Sequence, residues 1–312
     1  MLIDTHAHIN FSAYKDDGEE VIKRSLAEGT WLINVGSEKD TSRRAVEYAQ
    51  KYKEGVFAAV GLHPGHLADV EYEEEIKGER VKFSTAAEVF DAEHYFNLAR
   101  EDKVVAIGEI GLDYYRTAAD KRGTDTRINA EKNLQKEVLL EQLGLAEKLN
   151  KPVMLHCREA HEDLIGILKN FNNYSSSPST SLGVNRVEKS KNEVLDFAPA
   201  ALRSNNKLTG VVHSFSGRWS QAQQYLAMGF YLGFNGIITF ARDYDRVVKE
   251  MPLERLVLET DCPYLTPEPF RSKRNEPSYV RYVAQKVAEL RGISVEEVAE
   301  VTTRNARELF KI

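Results

Sequence analysis

Six side chains able to bind a divalent cation stand at the ends of apolar runs: His6, His8, Glu109, His156, His213 and Asp261. His6 and His8 follow Leu2-Ile3 at a spacing of two. In an extended strand that spacing puts both imidazoles on one side, within reach of one point. Neutral imidazoles aimed at a common spot suit a divalent metal. Four histidines and two carboxylates can hold two such ions with one carboxylate bridging, roughly 3.5–4 Å apart around a shared water placed for in-line attack. Counting His63, which precedes Pro64, five of the eight histidines fall at such ends, and only His66, His94 and His161 do not. Random placement would scatter them, so the pattern favours metal chemistry over packing. His63 reads either as a metal or phosphate contact or as the residue that shapes its turn.

Residues so far apart along the chain need an architecture that gathers them. Strand-like runs are expected at Leu2–Ile3, Thr30–Gly36, Val56–Leu62, Val104–Ile110, Pro152–Leu155, Leu208–Val212, Phe230–Ile238 and Arg255–Glu259. Helix-like stretches fall between them, near 18–28, 38–52, 85–102, 129–150, 160–171, 218–228 and 243–250. The 129–150 stretch carries the strongest period, through Leu134, Val138, Leu145 and Leu149. Alternating strands and helices imply a parallel sheet. Eight strands over about 265 residues match a closed TIM-type (β/α)8 barrel better than an open sheet. Such a barrel brings every C-terminal strand end to one rim. Two further helices close the chain, one opening at Pro277 and one at Ser294 with Glu297 three residues on, a capping box. The chain reads as one domain, 1–312. Residues 172–207, which begin Asn172-Asn-Tyr-Ser-Ser-Ser-Pro-Ser, look like an insertion. They follow a helix and precede a strand, which puts them on the face opposite the active site. The acidic stretch 65–84 reads as irregular, on the active face after strand three.

Composition narrows the class. A hydrophobic share of 42% and a charged share of 29% describe a soluble globular chain. No signal peptide is evident, and no apolar run approaches the roughly 20 residues that span a bilayer. The formal charge of −6 gives no global pull on nucleic acid, so a polyanion would need bound cations or a local basic patch. Cys157 and Cys262 are too few for a disulfide framework and suit the cytoplasm. Each adjoins a proposed ligand, and strand alternation turns it away, so both read as buried free thiols.

The blocks that carry these residues resemble the TatD family of metal-dependent deoxyribonucleases, within the amidohydrolase-like barrels. The resemblance runs through IDTHAHI near the start, GLHP at 61–64, IGEIGLDYYR at 107–116 and Gln135 to Gln142-Leu-x-Leu-Ala146. It continues through KPVMLHCRE at 151–159, HSFSG at 213–217, LGFNGIITF at 232–240, LETDCPYLTP at 258–267 and RNEPSYV at 274–280. By that resemblance His6 and His8 hold one metal with Asp261, His156 and His213 hold the second, and Glu109 bridges. Asp261 also takes the proton of the attacking water. Two divalent ions are implied, with magnesium first and manganese or zinc also suited. The implied reaction is hydrolysis of DNA phosphodiesters, often trimming single strands from the 3′ end; the expected partner is single-stranded DNA, with RNA left as an alternative. Relatives often carry HCFSG where Ser214 stands here.

Aromatic and basic residues after the strands fit a groove for a threaded strand, bases stacking on rings while cations meet phosphates. They are Tyr114, Tyr115, Arg116, Arg218, Trp219, Phe240, Arg242, Tyr264, Phe270, Arg271, Lys273 and Arg274. Arg158, two residues after His156, is the foremost phosphate contact, with His63 and Arg274 as further substrate contacts. The expected form is a cytoplasmic monomer with no membrane attachment. Two other readings keep the barrel: an ester or amide hydrolase acting on charged tRNA, and a non-enzymatic quality-control factor.

Overall fold

Why the chain forms a barrel is visible in its strands. The computed structural model describes residues 1–76, 79–85, 87–115, 125–175 and 207–312, of which 70–85 and 173–175 as backbone. Short runs rich in Val, Ile and Ala, buried on both faces, alternate with helices that cover one face. The first unit is β1 (Leu2–Ala7), α1 (Gly18–Ala27) and β2 (Thr30–Val35), followed by α2 (Lys39–Gln50) and β3 (Val56–Val60). A hairpin of β4 (Val70–Ile76) and β5 (Glu79–Thr85) then projects from the C-terminal side of β3. Next come α3 (Ala92–Ala99), β6 (Val104–Asp113), α4 (Asp125–Leu149), β7 (Val153–Arg158) and α5 (His161–Ser175). The last units are β8 (Gly210–Val212), α6 (Trp219–Ala227), β9 (Tyr231–Phe234), α7 (Asp245–Glu250) and β10 (Leu256–Leu258). Helices α8 (Val280–Arg291) and α9 (Val295–Phe310) finish the chain.

The eight-stranded sheet has the order β1-β2-β3-β6-β7-β8-β9-β10, every neighbouring pair parallel. It closes into a barrel at the C-terminal end, where Ala7 bridges Cys262. There the Asp261 N–H donates to the His6 carbonyl and the His8 N–H to the Cys262 carbonyl, each at 2.9 Å. The expected TIM-type barrel with extra C-terminal helices is the observed fold.

Its interior holds one apolar cluster drawn from all eight strands, including Ile3, Ile33, Ala59, Val105, Met154, Val211, Tyr231 and Val257. Leu309 and Phe310 of α9 join that cluster and plug the N-terminal end. A second cluster lies between strands and helices, and Cys157 and Cys262 belong to it as buried free thiols. The interior layer sets the aim of everything above it. Counting by twos from Met154, Val211 and Val257 reaches His156, His213 and Glu259, whereas Asp261 lies past the end of β10 at a φ of 57°. On β1 and β6 the count is reset by register shifts, between Asp4 and Ala7 and between Ile107 and Ile110. Each shift carries an extra residue past its neighbour and turns the following side chains to the other face.

Several expectations need correction. The strand carrying Glu109 runs on to Asp113 instead of stopping at Ile110. The 65–84 stretch is not irregular, because 70–76 and 79–85 pair antiparallel. The strand expected to reach Ile238 ends at Phe234, where Asn235 caps a short 3-10 turn over Gly236–Thr239. The helix expected from 85 starts at Ala92, capped by Asp91. In α4, Leu134 is exposed while Gln135 and Gln142 are buried. The Gln142 amide accepts from the Leu62 N–H (2.8 Å) and donates to its carbonyl (3.0 Å), and Gln135 does the same for Asp113 (2.9 and 3.1 Å). Strand ends leave backbone groups that must find partners, and two glutamines imitate the missing neighbour. Of 172–207, residues 172–175 complete α5, and 176–206 lie outside the described residues. Among the described residues no helix is long and apolar enough to cross a membrane.

Candidate metal centre

Glu109 is the hub of the C-terminal mouth. Its Oε2 lies 3.5 Å from His6 Nε2 and 3.8 Å from His8 Nε2. Its Oε1 lies 2.9 Å from His156 Nδ1, 3.6 Å from His63 Nε2 and 3.7 Å from His213 Nε2. Asp261 Oδ1 stands 3.4 Å from His8 Nε2, 3.8 Å from His213 Nε2 and 4.0 Å from His6 Nε2. All six residues expected to bind metal therefore meet at one mouth, and His63 meets them there.

The groups behind each ring decide which nitrogen is free to bind. His8 Nδ1 lies 2.9 Å from the Val35 carbonyl, which can only accept, so Nδ1 carries the proton and Nε2 keeps its lone pair. Asp113 Oδ2 lies 3.1 Å from His156 Nε2, which leaves Nδ1 to face Glu109. His63 is the reverse case. Its Nδ1 accepts from the Gly65 N–H at 2.9 Å, so its Nε2 carries hydrogen toward the mouth. That makes His63 a donor rather than a ligand. His6 Nε2 and His8 Nε2 sit 3.2 Å apart with no apolar group to separate them. Two buried lone pairs at that distance repel unless a cation or proton lies between them, so the donor set fits a divalent ion. Groups compact enough to hold an ion form from His6, His8 and Asp261 and from His6, His213 and Glu259, and in a third, of His63, Glu109 and His156, His63 offers its N–H instead of a lone pair.

Electrostatics follow from burial and crowding. Burial opposes charge on Glu109, yet His63, His156, His6 and His213 together hold its carboxyl well below the usual range. Asp261 is likewise held low against its burial by His213, His8 and His6. Burial works against the His213 imidazolium, but Glu259, Asp261 and Glu109 lift its pKa to about 10. His156 is also raised, against its burial, by Asp113 and Glu109. His6 moves the other way, lowered by burial and by His213. Without metal, His213 and His156 are thus held toward their protonated forms, and a cation bound there must release a proton from each.

Three carboxylates behind the ligands were not anticipated. Asp113 and Glu259 are fully buried behind His156 and His213. Asp4 accepts from the His6 N–H (3.2 Å) and from the Thr260 N–H (2.8 Å) and hydroxyl (2.6 Å), tying β1 to the segment that carries Asp261. Position at a strand end is the signal that could have found Asp113 and Glu259.

The rim is more mixed than expected. Arg158 is exposed and lies over the Tyr115 ring, 3.9 Å from its centre, and Arg271 lies 4.0 Å over exposed Phe240. Arg274 is already engaged. Its guanidinium forms a bidentate pair with Asp17, donates to the Ala13 carbonyl (2.7 Å) and covers Tyr14, so it fastens the loop after β1. Tyr114 is buried with its hydroxyl donating to Asp163 (2.7 Å), Phe270 stacks on Tyr279, and Arg242 pairs with Asp245. Arg116 lies outside the described residues.

The chain matches known proteins over its whole length. A family model described as TatD related DNase matches residues 3–311. The uncharacterized metal-dependent hydrolase YabD of Bacillus subtilis is 38% identical, with both chains covered completely. The 3'-5' ssDNA/RNA exonuclease TatD of Erwinia tasmaniensis is 31% identical, again over the whole of both. The crystal structure of YJJV, a TatD homolog from Escherichia coli, superposes with a TM-score of 0.71 at 27% identity, over 100% of this chain and 98% of that one. Matched along its length in sequence and in fold, the chain belongs to the TatD family of metal-dependent hydrolases.

Proposed function

We propose that the chain is a metal-dependent nuclease that hydrolyses DNA phosphodiesters, trimming single strands from the 3′ end, with RNA as a second substrate. One observation carries this reading: the two oxygens of Glu109 face two sets of histidines, His6 and His8 on one side and His156 and His213 on the other. A carboxylate so placed can bridge two cations. His6, His8 and Asp261 would hold one, His156 and His213 the other, with magnesium first and manganese or zinc as substitutes. Two such ions supply Lewis acidity, lowering the pKa of a water and neutralising charge on a phosphate.

The chain's own residues do the rest. Asp261, ionised because its pKa is held low, accepts the proton of the attacking water on a carboxylate oxygen. His63 presents Nε2–H as a donor to a phosphate oxygen. Arg158 shares the inward parity of His156 and is exposed, so it meets the backbone of an entering strand, and Tyr115 offers a ring for a base. We take the working form to be one domain, 1–312, monomeric and cytoplasmic; its two unpaired buried thiols suit a reducing compartment.

The test uses single-stranded DNA labelled at either end, with magnesium or manganese. Progressive loss of 3′ nucleotides, absent in His6→Ala and Asp261→Asn, supports the proposal. Inactivity on DNA and RNA with every metal, or hydrolysis of a charged tRNA alone, would overturn it.

A further inference from the structure

Behind the mouth lies an arrangement the ligand set does not explain. The rings of His6 and His213 stack, their centres 3.5 Å apart and their planes within 18°. Both present Nε2 to Glu109 and Asp261. A ring that points Nε2 one way points Nδ1 toward its other side. Glu259 lies beside both rings: it faces His213 directly, and ligand-capable atoms of His6, His213 and Glu259 all lie within 4.8 Å of one another, with His6 the more distant. Glu259 Oε1 accepts from the Ser214 N–H at 2.6 Å and faces His213 Nδ1 at 3.1 Å, off the line of a hydrogen bond. Among the described residues, His6 Nδ1, His213 Nδ1 and Glu259 Oε2 are all buried without hydrogen-bond partners. Buried polar atoms are rarely left so, and these three belong to one group of neighbouring residues.

The carboxylate has also been given room. A Cβ on Gly233 would fall 2.3 Å from Glu259 Oε2 and 2.8 Å from its carboxyl carbon. The site thus needs β9 to carry no side chain there. The other ligand histidines have separate supports, Val35 for His8 and Asp113 for His156.

We infer that Glu259 is a shared positioning residue. In the metal-loaded protein one carboxylate would receive the Nδ1–H of His213, which it already faces, and that of His6 after a small closing movement, fixing both tautomers so that both Nε2 lone pairs face the mouth. The inference rests on the ligand assignment above. Because those two histidines serve different cations in that assignment, one buried carboxylate supports both metal positions together. Partners of ligand histidines typically change metal affinity by about 10–100-fold. Loss of Glu259 should therefore weaken two sites, whereas loss of Asp113 should weaken one.

The experiment titrates metal-free full-length protein with manganese by calorimetry, comparing wild type, Glu259→Gln, Asp113→Asn and Gly233→Ala. The expected result is a loss of about tenfold or more at both positions in Glu259→Gln, and at one in Asp113→Asn. Gly233→Ala should reproduce the Glu259→Gln isotherm without touching any ligand. Glu259→Gln keeps the residue's size, so the question survives if Gly233→Ala does not fold. In zinc-loaded protein, proton–nitrogen spectra should show two imidazole Nδ1–H signals that both move in Glu259→Gln, which a merely structural role would not produce. Unchanged affinities, or a loss at one position alone, would overturn the shared role. Wild-type protein that binds no manganese would overturn the ligand assignment and this inference with it.

Discussion

The two ends of the barrel use the same strands for opposite purposes. At the N-terminal end, Ile3, Val105, Met154, Val211 and Val257 meet Leu309 and Phe310 in a dry apolar plug. Further along the strands, at the C-terminal end, stand His6, Glu109 and His213, equally buried, and His156 and Asp261, half-buried. The first end gains free energy from burial. The second crowds like charges and lone pairs into low dielectric and is stabilised only when countercharge arrives. Stability is therefore stored at one end and spent at the other, and mutations at the two ends should have separable consequences.

The largest expected separation is at the mouth. His6→Ala and Asp261→Asn should lower nuclease activity about 10³-fold or more while far-UV circular dichroism stays native. Loss of fold in both would erase the distinction. At the other end, Phe310→Ala should cost about 3–5 kcal/mol in denaturant unfolding yet leave manganese affinity unchanged in the fraction that remains folded. Behind the mouth, Asp113→Asn should weaken metal binding about 10–100-fold, read by calorimetry, with little change in melting temperature of the metal-free chain.

Smaller effects belong to the rim and to the layer below it. Arg158→Ala should raise KM several-fold more than it lowers kcat, and reduce the salt dependence of single-strand binding by about 0.7 in log–log slope. His161 is buried against Tyr225, and burial first, then His156, lowers its pKa to about 4. A histidine lowered in the fold stabilises above its unfolded pKa of about 6.5, and that contribution is lost as pH falls toward about 4. His161→Gln should flatten the melting-temperature profile across that window, by about 3 kcal/mol at most. An unchanged slope would show that His161 takes no part.

Much of this was legible in the residues. Asp261 lies past the end of β10 at a positive φ, but the parity of strands placed His156 and His213 at one rim because nothing interrupts β7 or β8 before them. It also turned Cys157 and Cys262 outward, as observed. His6, His8 and Glu109 reach the same place only through register shifts, which a spacing of two cannot announce. The supporting carboxylates stayed hidden for a different reason. Asp113 and Glu259 look in sequence like rim charges, and only closure of the barrel buries them behind His156 and His213. Leu134 misled because α4 rotates its glutamines inward to satisfy the ends of β3 and β6. The partner of Arg274 was also hidden, because which carboxylate pairs with a guanidinium is decided by folding, and Asp17 of the loop after β1 reached it.

The most direct measurement is anomalous diffraction from crystals grown with manganese. The account predicts two peaks in the C-terminal mouth, one on either side of Glu109, with His6, His8 and Asp261 around the first and His156 and His213 around the second. A single peak, or peaks away from Glu109, would contradict it.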